Sequence, residues 1–156
     1  MKSTFISALL ITIFAGSTAQ AQITKKDSLA VVKRYVELLD ICKKGNIAAP
    51  SANAAGLFSK AAPYIVYRGD DEKRAWKTFC NYAVAEEKRG VDEVCTEINE
   101  TVNRDPNYKI VQYHTEKESE GIWHLLMVTY VKAGKEKNAV FAFLKIKGQF
   151  GLGDID

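Results

Sequence analysis

Residues 122–156 read "IWHLLMVTYVKAGKEKNAVFAFLKIKGQFGLGDID", and their reading decides the fold. β-Branched, aromatic and long apolar residues fill Ile122–Lys132, Asn138–Lys147 and Phe150–Asp156, with Gly134-Lys135 and Gly148-Gln149 between them. Runs of this composition bounded by glycine turns read as strands joined in hairpins. Upstream, "YKIVQYHTE" at 108–116 has the same character, and the turn-forming Ser119–Gly121 separates it from Ile122. The C-terminal half is therefore an antiparallel meander of four strands. Its middle strands are apolar on both registers: Ile122, Leu126 and Val128 alternate with Trp123, Leu125, Met127 and Val131, and Phe141 and Phe143 with Val140, Ala142 and Leu144. A sheet apolar on both faces needs cover on both. Helices can supply one cover, and a second copy of the chain or an apolar cavity the other.

The helices lie N-terminal to the meander. In "DSLAVVKRYVELLDICKK" at 27–44, Leu29, Val32, Val36 and Leu39 form one stripe, with Val31, Tyr35, Leu38 and Cys42 beside it, the spacing of a helix with a wide buried face. Asp27 or Ser28 is expected to cap its start and Gly45 its end. Pro50 and Ser51 open a short second helix through about Lys60, and Tyr64–Tyr67, between Pro63 and Gly69, reads as a short strand. Apolar residues then recur at Ala75, Trp76, Phe79, Cys80 and Ala83, and again at Val91, Val94, Cys95, Ile98 and Val102. Residues 71–102 are thus expected as one helix kinked at Gly90, or as two. Arg68-Gly69-Asp70 is read as the turn between strand and helix, with Asp70 as cap, rather than as an adhesion tripeptide. Asn103, Asp105, Pro106 and Asn107 punctuate the passage to the sheet.

The first 21 residues, with Lys2 ahead of an 11-residue apolar run from Phe5 to Ala15 and Ala19-Gln20-Ala21 at the end, have the pattern of a secretory signal peptide cleaved after Ala21. The run is too short to span a bilayer, which takes about 20 residues. Residues 22–156 then form a single domain of an exported, periplasmic or secreted protein. Its small positive charge, +3 for the whole chain, is scattered among acids, so a nucleic-acid partner is not expected, nor a membrane partner after cleavage. Glu116-Lys117-Glu118-Ser119-Glu120 reads as a solvated hairpin turn. Cys42, Cys80 and Cys95 allow one disulfide and one free thiol in any of three pairings. Asn99-Glu100-Thr101 matches the glycosylation pattern, which a bacterial export route would not use.

The stretches "AAGLFSKAAPYIVYRGDD" and "FAFLKIKGQFGLGDID", in this helix-then-meander order, resemble the nuclear transport factor 2-like, or SnoaL-like, superfamily with its cystatin-like fold. The resemblance rests on Leu57-Phe58, Val66-Tyr67 and Gly69-Asp70, and on Lys147-Gly148 and Asp154 near the end. It implies an α+β fold, a curved antiparallel sheet wrapped around helices as a cone, with a pocket at the open end in many members. Some members are enzymes that direct Asp, Tyr or His into the cone, and others bind ligands or partners.

Within that expectation, His114 and His124 fall on successive strands ten residues apart and could meet across a hairpin as acid and base. Two histidines make a poor metal site, and no metal or cofactor is expected. Asp154 is the carboxylate to consider as a base in the last strand. Tyr64, Tyr67, Tyr113, Trp123 and Tyr130 supply aromatic surface with polar tips, as a pocket for a small apolar ligand would. The leading expectation is an exported module that binds a small molecule or partner without catalysis, and that pairs as a homodimer through its sheet face. The alternatives are a small acid/base enzyme of isomerase or dehydratase type, and an inhibitor or immunity protein using an apolar sheet face.

Overall fold

The computed structural model describes residues 17–47, 58–69 and 78–156, with side chains described over 25–45 in the first of these. Most of the expected signal peptide, the start of the expected second helix, Asp70, and Trp76 lie outside them. The chain is α+β: helix α1 (Ser17–Ile47), a 3-10 turn at Ser59–Tyr64, helix α2 (Ala85–Glu100), a second 3-10 turn at Val102–Arg104, then β1 (Lys109–Glu118), β2 (Gly121–Lys132), β3 (Lys135–Ile146) and β4 (Gln149–Ile155). The strands form one curved, open antiparallel sheet in the order β1-β2-β3-β4. The meander is as expected, with the two-residue loops one position earlier: Ala133–Gly134 and Lys147–Gly148 all have positive φ. That pair of left-handed residues matches the right-handed twist of the flanking strands.

Each strand shows one face to the helices and one away from them. Leu126, Val128, Tyr130, Ala139, Phe141, Phe143, Phe150 and Leu152 point inward and pack with Val31, Tyr35, Leu38 and Cys42 of α1 and Val91, Cys95 and Ile98 of α2. Tyr35 and Phe141, both fully buried, meet edge to face at 4.8 Å and fill the space between helix and sheet. A Cys42–Cys95 disulfide joins the two helices, closing one of the three pairings left open. By chain entropy alone, a crosslink 53 residues apart stabilises the fold by about 4 kcal/mol. Beside it, Asn99 Nδ2 donates to the Cys42 carbonyl at 2.8 Å, and Asn103 Nδ2 to the Leu39 carbonyl at 3.0 Å. Asn99 is buried and its amide is engaged, so the Asn99-Glu100-Thr101 pattern serves helix packing. Asp105 ties the punctuation segment down, accepting from Asn107 N at one oxygen and Val131 N at the other.

Three expectations fail. Helix α1 begins at Ser17, ten residues before Asp27, so neither expected cap acts as one: Ser28 Oγ donates to the Lys25 carbonyl and Asp27 pairs with Lys145. At its other end α1 runs through Gly45 to Ile47. Residues 78–84 are extended or turn, not helix, and α2 starts at Ala85 and continues through Gly90 without a break. The strand expected at Tyr64–Tyr67 is shorter: Tyr64 closes the first 3-10 turn, and only Ile65 and Val66 bridge, to Leu152 and Phe79. Gly69 has φ +64, as its reading as a turn requires.

Those two bridges build the cover of the outer face. Val66 N donates to the Leu152 carbonyl at 2.8 Å and Cys80 N to the Ile65 carbonyl at 2.8 Å, so residues 65–66 lie along the β4 edge and residues 79–80 lie beside them. Val66 and Phe79 then pack against Trp123, Leu125, Ala142, Leu144 and Ile146. Gly151 admits them: a Cβ there would sit 2.6 Å from the Phe79 ring and 2.8 Å from a Val66 methyl. The 3-10 turn is held by Arg34, whose Nε donates to the Phe150 carbonyl at 2.9 Å while its guanidinium lies 3.6 Å above the Tyr64 ring.

Candidate functional site

The register of the first hairpin separates the two histidines. His114 pairs with Leu125 and Thr115 with His124, and since alternate residues of a strand face opposite ways, His114 faces outward and His124 inward. They cannot act as an acid/base pair.

His124 is 5% exposed. Its Nδ1 lies 2.6 Å from Tyr113 Oη, and its ring meets Phe150 edge to face at 4.7 Å. Asp27, from α1, accepts from Lys145 Nζ at 3.0 Å and lies close enough for its charge to reach both rings. Burial holds the imidazole below its ordinary range, with Asp27 opposing and Lys145 adding to the effect. Burial, helped by Asp27, pushes the Tyr113 phenol up to about 12. Both rings are therefore neutral near pH 7 and share one proton along their hydrogen bond. A general base needs a free lone pair toward substrate; with Nδ1 engaged by Tyr113, that role could fall only to Nε2, in the tautomer where Nδ1 donates to Tyr113 Oη.

The other expected site residues are dispersed. Tyr64 Oη donates to Glu37 at 3.2 Å beneath Arg34. Tyr67 lines an open cleft of about 500 Å³ between residues 65–69 and α2, which also holds Cys80. Tyr130 is buried in the inner core, and Trp123 belongs to the outer face. The five aromatics are thus dispersed rather than gathered in one pocket. Asp154 faces outward, half-exposed and 3.8 Å from Arg68 Nη1, which is not the desolvated setting a carboxylate base needs. The Cys80 thiol is pushed up to about 12 by burial and by Glu87, leaving it a poor nucleophile.

Asp154 and Trp123 nevertheless meet, in a groove of about 170 Å³ on the outer face. Its floor is Trp123, Leu125 and Ala142. Glu116, Glu118 and Glu120 rim one side, and the Arg68–Asp154 pair closes the other. Four carboxylates and one guanidinium line it; Asp154 lies 3.8 Å from Arg68, and Glu116 lies 3.2 Å from His114 Nε2. A larger open surface of about 650 Å³ runs along α2, where Lys88 pairs with Asp92 and Arg89 with Glu93 and the lining is mostly charged. The groove's apolar floor under an acidic rim makes it the stronger candidate.

Reading residues 116–120 as a solvated turn missed the rim. The signal was present: Glu116 and Glu118 are two residues apart, which on a strand sets carboxylates on one face, and Glu120 follows in the turn. Among the described residues, no cluster of His, Cys, Asp and Glu is arranged to hold a metal ion.

No family model, no curated protein and no solved structure matches this chain. The site rests on its own geometry.

Proposed function

We propose that this chain is an exported, partner-binding module of nuclear transport factor 2-like type that works through the outer face of its sheet. The observation that carries the reading is the contrast between the faces: Tyr35, Phe141 and Phe143 fill the inner side, whereas Trp123, Leu125 and Ala142 floor an open groove outside. A Cys42–Cys95 disulfide suits an oxidising compartment, which supports export. The helix-then-meander order and the curvature of the sheet support the family resemblance. The second reading is a small acid/base enzyme, favoured by the buried Tyr113–His124 pair beside Asp27 and Lys145.

Native mass spectrometry of the chain isolated from its own cell envelope separates the two. The proposed function expects an added protein mass that disappears in Leu125→Glu and persists in Tyr113→Phe. That mass would equal the chain's own if the partner is a second copy. A retained small-molecule mass lost in Tyr113→Phe but kept in Leu125→Glu would instead support the enzyme.

A further inference from the structure

We propose that the outer-face groove receives a lysine or arginine side chain from an extended segment of a partner protein, an inference that rests on the outer face being the binding surface. Size is the first argument. Pockets for drug-sized molecules span roughly 300–1,000 Å³, whereas about 170 Å³ suits one long side chain. Composition is the second. Trp123 and Leu125 offer an apolar floor to a methylene stem, and Glu118, flanked by Glu116 beside His114 and Asp154 beside Arg68, lines the place where its charged head would emerge. A guanidinium could take a carboxylate there with two parallel hydrogen bonds, and an ammonium with one. An acidic side chain would meet the same rim as repulsion, so the groove selects by exclusion as well as by attraction.

Position argues for a chain segment over a free amine. β1 is an edge of the four-stranded sheet, and the rim carboxylates Glu116 and Glu118 project from it on the groove side. An extended segment lying along β1 would point every second side chain to that face, next to the rim.

The test is an amide chemical-shift titration of the full chain with the peptide acetyl-Ser-Gly-Lys-Gly-Ser-amide, its norleucine counterpart, and spermidine. The lysine peptide is expected to shift the amides of Glu116, Glu118, Leu125 and the Trp123 indole. Its affinity should fall at least tenfold in the Glu116→Gln/Glu118→Gln double variant, whose exposed positions leave the core intact. The norleucine peptide should bind at least tenfold more weakly than lysine. Equal shifts with norleucine would overturn the charge selection while leaving the outer face as the binding surface. Tighter binding of spermidine would overturn the partner chain as source. No shift with any probe at millimolar concentration would overturn the groove as a side-chain receptor, whereas the reading of the whole face is decided separately by the Leu125→Glu mass measurement.

Discussion

The two faces of the sheet are built from the same strands by the same two-residue alternation, yet they end differently. Inward-facing Leu126, Val128, Phe141 and Phe143 meet two disulfide-linked helices and are at most 1% exposed. Outward-facing Trp123, Ala142 and Leu144 are 3–9% exposed and, among the described residues, pack with Leu125, Val66 and Phe79 beside an acidic groove. Volume specifies the inner face; an acidic rim marks the outer one. Stability should therefore concentrate on the inside and recognition on the outside.

Truncation should separate the faces most. Phe141→Ala removes a fully buried ring and is expected to cost about 3–5 kcal/mol in chemical denaturation, whereas Leu125→Ala, from a half-buried position, should cost well under half of that. Equal costs would break the contrast. The Cys42→Ala/Cys95→Ala pair should lose about 2–5 kcal/mol, read as a lower denaturation midpoint for the variant than for the oxidised chain. Gly151→Ala tests the outer cover, because its methyl has no room beside Val66 and Phe79. A loss of about 1–3 kcal/mol is expected from overpacking, together with faster amide exchange at Val66 and Cys80, whose N–H groups make the bridging bonds.

A smaller effect should appear with pH. His124 has its folded-state pKa lowered from 6.5 by burial, so the unfolded chain binds the proton more readily than the folded one. The stabilisation held by the neutral imidazole is complete above about 6.5 and is lost as pH falls through the lower folded value. Melting temperatures should drop between pH 7.5 and 5 in the native chain, and drop less in His124→Gln; identical slopes would remove His124 from the account. The smallest effect is expected at Tyr35. Its hydroxyl is buried with no hydrogen-bond partner among the described residues, so Tyr35→Phe should leave stability unchanged or raise it slightly. A loss above about 1 kcal/mol would mean that the hydroxyl is satisfied in solution.

How much of this was legible in the sequence follows from which contacts are local. The meander was legible because strand composition and glycine turns are short-range signals, and the two-faced apolar pattern of residues 122–144 correctly called for two covers. The helical periodicity misled over 78–83 because Phe79 and Cys80 pair with Val66 and Ile65, which are themselves seated on Leu152, and because the bare Gly151 admits the Phe79 ring more than seventy residues along the chain. The choice of Cys42–Cys95 depends on how two helices cross, which spacing does not encode. The separation of His114 from His124 turns on a single residue of register in the β1–β2 hairpin. Of the candidate site, Trp123 and Asp154 were singled out by type, but only the sheet order brings them to one groove with Glu116 and Glu118.

The most direct test of the outer face as the working surface is photo-crosslinking in intact cells, with a benzophenone amino acid placed at Leu125 in the groove or at Val36 on the exposed side of α1. The account predicts a protein adduct from position 125, absent when Glu116 and Glu118 are changed to lysine, and none from position 36. Adducts of equal yield from both positions, or an adduct at 125 indifferent to the charge reversal, would contradict it.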